Sequence, residues 1–570
     1  MRALGINAVF HDPAAALVVD GRVVAAAEEE RFSRRKHGKR PVPFSAWELP
    51  ELAAAWCLRE AGLEPADLDA VAYSYDPAEC RPAGSLGLDD PWDHLRISYA
   101  EHAPGFIAEA LPGVDPASVR YVRHHAAHAA SAGLAGPLGD ASVLVCDGRG
   151  EATSHLAGRY AGGQLEILAS QPLPDSLGLF YEQATSHLGF LHSSDEYKVM
   201  ALASYGTPRF AAELSGLVYP DGSGGFRTEA VPWDSMVKRR AKGEQLTGDH
   251  ADLAASVQRV VEDVLLDLAR WLHGRTGDRG LAMAGGVALN CVANSRLASE
   301  GPFDRIWVQP ASGDAGTALG GALCVASEAG EAVTPMPDAF LGRGWSAEEL
   351  AAWLDTAAWP YERPASIADA IAAELAADRI VAWFQGRSEF GPRALGSRSL
   401  LAHPGRRVNL DRLNAVKGRE EFRPVAPMVL AERAAGIFRG PLPSPYMLFV
   451  HQVAPEWRDR IPAVVHVDGT ARVQTVDREH QPLVAGVLDG FAARTGLPVI
   501  VNTSLNTAGR PMVDDPRDAL ECFGSAPVDV LALGPFLIRR PGTSAPGSSA
   551  PGSSPPGSPA PGTATPGPRA

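Results

Sequence analysis

The run AALVVDGRVVAAAEEERF, residues 15–32, holds two stretches of small and β-branched residues joined by Asp20-Gly21. Aspartate followed by glycine supplies the positive φ angles of a tight hairpin turn, so two antiparallel strands are expected here. ALGIN, at 3–7, is a further apolar run just before them. Much later, SVLVCDGRGEATSHLAGRYAGGQLEILAS, at 142–170, repeats the theme: an apolar run, a turn carrying Asp147 and Gly148, then strand-like pieces about Gly162-Gly163. Two copies of strand, acidic turn and strand, separated by helical sequence, predict a duplicated α/β core with a cleft between its halves.

Outward from that core, ELPELAAAWCLREAGL (48–63) and DLAASVQRVVEDVLLDLARWLHGRTG (252–277) carry the apolar spacing of packing helices. A loop-rich interval with TPMPDAFLGRGWS (334–346) leads to a helix, SIADAIAAELAADR (366–379), and a strand, IVAWFQG (380–386). A boundary is therefore expected between residues 340 and 365, giving one domain over 1–350 and a second over 360–540. From Pro541 to 570 the chain is Pro, Gly, Ala, Ser and Thr almost throughout, with nothing to bury, and this tail is expected to be disordered.

At 570 residues and 60.0 kDa the chain exceeds what one hydrophobic core usually serves. With 45% hydrophobic and 21% charged residues and no uninterrupted apolar stretch of bilayer length, it reads as a soluble protein without a membrane partner. Fifty-two Lys and Arg against 67 Asp and Glu leave a net charge of −15, which repels nucleic acid. An anionic ligand must then be caught by a local basic pocket. The 6 cysteines show no CxxC spacing and read as reduced thiols, and Asn7, His11, Asp12 and Pro13 interrupt any signal peptide, so a cytoplasmic location is expected. A symmetric homodimer is the default for such an enzyme.

Several constellations can carry chemistry. In VRHHAAHAASAG (122–133), His124 and His128 stand four apart on one helical face, where two imidazoles can share a metal, while His125 is turned about 100° away. HxxxH alone is more often incidental, but Asp147 ends a strand and Asp314 lies in the turn SGDAGTALGG (312–321). A mixed His and Asp set suits a divalent metal that also grips phosphate; the alternative makes both aspartates turn or N-cap residues. Gly148, Gly285 and Gly286 with Asn290, and Gly313 lie in glycine turns whose backbone amides could approach a nucleotide phosphate. None is a GxxxxGK[ST] loop. RFSRRKHGKR packs six Lys or Arg into residues 31–40, and Lys36 could supply charge to a phosphorylated substrate. His11, next to Asp12, can trade protons near neutral pH, as activation of an alcohol requires.

The second domain is written in arginine. GRSEFGPRALGSRSLL places Arg387, Arg393 and Arg398 among glycines, NAVKGREEFRPVAP adds Lys417, Arg419 and Arg423, and DGTARVQTV and VNTSLN add Arg472, Asn502, Thr503, Ser504 and Asn506. Cations interleaved with hydroxyl groups on short β segments suggest a phosphate-lined nucleotide pocket; the alternative pairs them on the surface with Glu389, Glu420 and Glu421.

FHDPAAALVVDG, EEERFSRRKHG, HHAAHAASA, EYKVMALASYG, GGVALN, SGDAGTALGGAL, FGPRALGSRS, VKGREEFRP, DGTARVQTV and NTSLN follow one another along nearly all the chain before the tail. Together they resemble bacterial O-carbamoyltransferases of the nodulation-protein-U, cephem and tobramycin carbamoyltransferase type. The resemblance implies an amino-terminal Kae1-like domain of the actin, hexokinase and Hsp70 fold, followed by an α+β YrdC-like domain. It implies that the second domain makes carbamoyl adenylate from carbamoyl phosphate and ATP, with Mg(2+) accompanying the ATP. The first domain would then move the carbamoyl group to a hydroxyl of an antibiotic-type small molecule. His124, His128, Asp147 and Asp314 match the family's metal positions, where Fe(2+) or another divalent metal is expected to grip the adenylate's phosphate. His11 falls in the FHD motif as general base on the acceptor hydroxyl, with Asp12 and Lys36 beside it. Lys417, Arg472 and Ser504 match the adenylate-forming site, and Met447, in PYMLF, its nucleotide wall. Arg387, Arg393, Arg419, Thr503 and Asn506 are expected in the same pocket.

Two other functions compete. Kae1 and YrdC relatives also make tRNA threonylcarbamoyl-adenosine, which the acidic charge opposes. A nucleotide switch of the actin and Hsp70 group would need no histidine pair. Residues 76–103 fit no motif, and acceptor choice is expected to lie there; aminoglycoside, macrolide, ansamycin, nucleoside and cephem scaffolds all remain open.

Overall fold

The first hairpin forms as its turn chemistry requires: β2 (Ala14–Val19) and β3 (Arg22–Glu28) pair antiparallel across Asp20 and Gly21, with φ of 49° and 71°. The computed structural model describes residues 1–38, 48–507 and 509–542. The last two residues of the basic run and all but the start of the tail lie outside the described residues. Ahead of the hairpin, β1 (Arg2–Asn7) pairs antiparallel with β2 and parallel with β4 (Ala70–Tyr73), and β5 (Val119–Tyr121) completes a sheet of order β3-β2-β1-β4-β5.

The second copy follows the same plan. β6 (Ala141–Cys146), β7 (Thr153–Ala161) and β8 (Gln164–Pro172) form an antiparallel meander turning at Gly162 and Gly163. A small hairpin, β9 (Val218–Pro220) with β10 (Phe226–Thr228), intervenes. β11 (Gly280–Ala284) and β12 (Arg305–Val308) then add parallel strands, giving β12-β11-β6-β7-β8. The duplicated α/β arrangement is therefore present, with one refinement. The turn equivalent to Asp147-Gly148 is the His11-Asp12 turn between β1 and β2, and Asp20-Gly21 corresponds instead to Gly162-Gly163. Both acidic turns follow the central strand of their sheet.

The interface between the halves explains most of the glycines in SGDAGTALGG. The helix Ala315–Glu328 lies against β1 and against the helix His124–Gly133. A Cβ on Gly320 would come within 1.7 Å of Ala127 O, and one on Gly5 within 1.8 Å of Ala318 O, so these glycines permit backbone contact. Gly316 and Gly320 are packing residues, and only Gly313 of this run faces open space near the cleft, its nearest neighbour at 3.8 Å.

The carboxyl-terminal part carries the predicted helix, Ile367–Ala376, and strand, β13 (Val381–Phe384). With β14 (Arg398–Ala402), β15 (Ala426–Leu430), β19 (Gln474–Val476), β20 (Val499–Ser504), β21 (Val530–Leu533) and β22 (Phe536–Arg539), it builds a seven-stranded mixed sheet, ordered β19-β15-β20-β14-β13-β21-β22. Three short strands, β16 (Phe438–Arg439), β17 (His451–Val453) and β18 (Thr470–Ala471), make a separate sheet. Trp383, Phe491 and Ile500 fill one face of the large sheet, and Phe384, Phe523 and Ile538 the other. The two parts are tied by Arg31, buried among Glu28, Glu30 and the carbonyl of Gly391 (2.8 Å). Among the described residues no helix is long and apolar enough to cross a membrane.

Candidate functional site

His124 and His128 occupy the first turns of their helix and share the face predicted from their spacing. Asp147 enters from the turn after β6, and Asp314 from the residue before the helix Ala315–Glu328. The four converge: ligand atoms from all of them lie within 4.8 Å of one another, in a fully buried setting. His124 Nε2 is 3.1 Å from Asp147 Oδ2 and 3.7 Å from Asp314 Oδ1. His128 Nε2 is 3.4 Å and 3.7 Å from the same atoms, and neither of its ring nitrogens has a hydrogen-bond partner. His125 is turned toward Thr153 Oγ1, at 2.8 Å, as its helical position predicts.

Two carboxylates facing two imidazoles in a dry space call for a positive charge. Burial pulls the His124 pKa down, but the hydrogen bond to Asp147 and the charge of Asp314 outweigh it and raise it to about 9. A divalent cation on the same donors fits better than a single proton, and the partnerless His128 nitrogens and the His₂Asp₂ donor set agree with that occupant. The surroundings orient the donors. Glu151 accepts from the amide of His124 at 2.7 Å, Asp147 Oδ1 accepts from Gly286 N at 3.0 Å, and Asp314 Oδ2 accepts from His11 N at 3.0 Å.

The FHD turn thus touches the quartet through the His11 backbone, with Phe10 set edge-on to the His124 ring at 5.5 Å. Asp12 is bound by His37, at 2.9 Å, a residue that sequence reasoning passed over in favour of its neighbour Lys36. Lys36 is half-exposed and pairs with Glu30 at 3.5 Å. Of the glycine turns, Gly285 is required by geometry: φ is 91°, and a Cβ would meet Cys146 O at 2.2 Å. Gly148 and Gly286 border the quartet. Asn290, expected at a nucleotide, instead caps the helix Cys291–Glu300 through Ala293 N (3.1 Å) and exchanges hydrogen bonds with Gln258, which occupies its side chain.

Also beside the DGRG turn is Glu182, which accepts from Ser193 Oγ at 3.0 Å. Burial, helped by the charge of Glu196, pushes its carboxyl up from 4.5 to about 8. Between those values the folded chain holds a proton that the unfolded chain has released, so stability falls as pH rises through the window. Glu182→Gln removes that loss. Thermal melts from about pH 5 to pH 9 should show the variant gaining on the parent as pH rises, by about 1.4 kcal/mol per pH unit at most inside the window. A difference independent of pH would contradict it.

The second cluster sits on the carboxyl-terminal sheet. Lys417 follows the helix Val408–Val416 and donates to Ser504 Oγ (2.8 Å), Ser504 O (2.6 Å) and Asn506 Oδ1, joining the end of β20. Burial and the charges of Arg419 and Arg423 hold its pKa well below the ordinary lysine value. Arg393 and Arg419 are each pushed down to about 9, by burial and then by neighbouring arginines, and the Nε atoms of Arg393 and Arg472 are buried without partners. Of the predicted acidic partners, Glu389 accepts from the amides of Leu395, Ser397 and Arg398, and Glu420 pairs with Lys198 at 2.8 Å and with Arg423 at 3.6 Å. The cations outnumber the carboxylates that reach them, a setting that suits an anionic ligand. Thr503 lies on β20 beside Ser504, and Met447, with φ of 56°, is buried in the core between the two parts.

Arg387 and Arg398 do not join that cluster through their bonds. Arg387 donates to the carbonyls of Gly342 (2.9 Å), Val24 and Leu341, and Arg398 to those of Gln385 and Arg343 while covering the Phe384 ring at 3.7 Å. The Nε and Nη2 groups of Arg387 thus join the two parts, and its Nη1 lies 3.8 Å from Glu60. Sequence reasoning also missed the first part's share of this wall. The helix Glu196–Ala203 brings the Tyr197 ring against Arg423 at 4.5 Å, and Cys291 Sγ contacts Arg472.

Comparison with known proteins now bears on this pair of clusters. The family model described as "Carbamoyltransferase N-terminus" matches residues 2–81 and 108–323, and "Carbamoyltransferase C-terminus" matches 372–540. The chain belongs to the carbamoyltransferase family. It is 38% identical over 556 residues to nodulation protein NolNO of Sinorhizobium fredii, covering 94% of this chain and 80% of that one. To nodulation protein NolO of Bradyrhizobium diazoefficiens it is 40% identical over 434 residues, covering 74% and 79%. A crystal structure of T. kodakarensis HypF aligns at 16% identity with a TM-score of 0.31, over 57% of this chain and 48% of that one.

The interval between the two amino-terminal matches, 82–107, overlaps the stretch 76–103 that fitted no motif. This carbamoyltransferase uses it to wall the FHD turn. Arg149, of the DGRG turn, binds Asp90 (3.0 Å) and Asp93 (2.8 Å), while Arg96 covers the Phe10 ring at 4.7 Å.

Proposed function

We propose that this carbamoyltransferase works in two steps, making carbamoyl adenylate from carbamoyl phosphate and ATP at the arginine cluster and consuming it at the His124 quartet. The observation that carries this proposal is the pairing within one chain of a buried cluster of Lys and Arg and a buried His₂Asp₂ set. Carbamoyl phosphate is a poor donor to a weakly nucleophilic alcohol, whereas a mixed anhydride with AMP has a better leaving group. Lys417, Arg393, Arg419 and Arg472 would hold the phosphates and Ser504, Thr503 and Asn506 the polar edge of the carbamoyl group. Mg(2+) would accompany the ATP.

At the quartet, Fe(2+) or another divalent ion held by His124, His128, Asp147 and Asp314 would supply a Lewis-acid hold on the adenylate's phosphate. The chain's own residues do the rest. His11, whose backbone amide is bonded to Asp314, would take the proton of an acceptor hydroxyl. Residues 76–103, whose Arg96 together with Arg149 covers Phe10, would select that acceptor, a small hydroxyl-bearing natural product. The contact of Tyr197 and Cys291 with the arginine cluster supports an enclosed route for a water-sensitive intermediate.

Incubation with carbamoyl phosphate, ATP and a panel of alcohols should yield a carbamate by mass spectrometry, together with AMP, pyrophosphate and the inorganic phosphate that water releases from carbamoyl phosphate. His11→Asn should keep adenylate formation, read as pyrophosphate release, and lose transfer by at least about 10²-fold. Loss of both activities would remove His11 from the role of base.

A further inference from the structure

Between the FHD turn and the helix Glu196–Ala203, three groups stand in a line that neither proposed step uses. Asp12 Oδ1 is 2.9 Å from His37 Nδ1, and His37 Nε2 is 2.8 Å from Ser194 Oγ. An ionised carboxylate only accepts, so Nδ1 carries the proton, and in the neutral ring the lone pair on Nε2 faces the Ser194 hydroxyl. Hydroxyl, imidazole and carboxylate in that order are the arrangement that turns a serine into a nucleophile.

The backbone around the array is held in conformations that chance packing does not favour. Phe10, Asp12, His37 and Ser193 all have positive φ, at 59°, 44°, 59° and 57°, on three separate segments that meet here. Carboxyl groups fix two of them: Glu30 Oε2 accepts from His37 N at 2.8 Å, and Glu196 Oε1 accepts from Ser193 N at 2.7 Å. Access is open, since the His37 and Asp12 side chains are 28% and 34% exposed. The array also adjoins the transfer centre, because Asp12 follows His11, whose amide is bonded to Asp314.

We propose that Ser194 is a carbamoylation site, its hydroxyl accepting a carbamoyl group to form an ester of carbamic acid. The identity of the natural donor rests on the carbamoyl-adenylate reading above. Ser194 Oγ attacks the carbamoyl carbon, its proton passes to His37 Nε2, and the bond from that carbon to the AMP phosphate oxygen breaks. AMP leaves with the electron pair, and no oxidant or further reactant is required. Such an ester forms when no acceptor fills the cleft, so the carbamoyl group is kept on the protein.

The test uses the full chain and two donors. para-Nitrophenyl carbamate delivers the carbamoyl group without a nucleotide, and should release nitrophenolate while adding one carbamoyl group to the peptide that contains Ser194. His37→Gln should slow that labelling by about 10²-fold or more, and Ser194→Ala should abolish it at this peptide. With carbamoyl phosphate and ATP in the absence of acceptor, the same peptide should be labelled as AMP appears. AMP formation that leaves Ser194 unlabelled overturns the proposal, as does aryl-carbamate labelling unchanged in His37→Gln. Absence of AMP counts against the adenylate reading, and the aryl carbamate then decides on Ser194 alone.

Discussion

Lys417→Met should abolish carbamoyl adenylate formation, lowering pyrophosphate release by about 10² to 10³-fold, the usual effect of deleting one positioned donor from a site that stabilises developing negative charge. The substitution is mild for the fold. Lys417 is 7% exposed, and burial next to Arg419 and Arg423 makes its charge expensive. Losing it relieves that cost while leaving Ser504 O and Ser504 Oγ without the lysine donor, a penalty of about 1–3 kcal/mol that the relief offsets, and Asn506 Oδ1 still accepts from Ser504 Oγ. Pre-formed carbamoyl adenylate, supplied from outside, should still be used by the variant. A variant that makes adenylate at the parental rate would remove Lys417 from the site.

The second large effect is expected at the quartet. His128→Ala deletes an imidazole whose Nε2 faces Asp147 and Asp314 at 3.4 and 3.7 Å, the ligand positions of the quartet. It leaves Asp147 and Asp314 facing each other with only His124 between them. Divalent-metal affinity should fall by about 100-fold or more, as losses around metal ligands typically do. Elemental analysis after dialysis checks this, and transfer should be lost while adenylate formation persists. A bound cation also stabilises the fold by mass action, about 2.7 kcal/mol at one hundred times its Kd, so a chelator should lower the parent's melting temperature and leave the variant's unchanged. Equal metal content in the two proteins would exclude His128 as a ligand.

Much of this was legible in the residues because it is local. Asp20-Gly21 and Gly162-Gly163 dictate their hairpins through the φ angles they permit, and the i, i+4 spacing of His124 and His128 fixes their common face. That Asp147 and Asp314 meet those histidines follows from strand ends and helix starts facing one cleft. What was not legible depends on contacts between distant segments. That Gly320 is needed for the approach of Ala127 O, and that Arg387 bonds the carbonyls of Val24 and Leu341, shows only in the fold. Asn290 is an ordinary helix cap. His37 was overshadowed by the charge run around it, and its partners, Asp12 and Ser194, are 25 and 157 positions away, beyond any local pattern.

The most direct measurement is the identity of the nucleotide product during a single turnover with carbamoyl phosphate, ATP and an accepted alcohol, followed by phosphorus NMR. AMP and pyrophosphate appearing in step with the carbamate are expected. ADP in their place would mean that no acyl nucleotide links the arginine cluster to the His124 quartet.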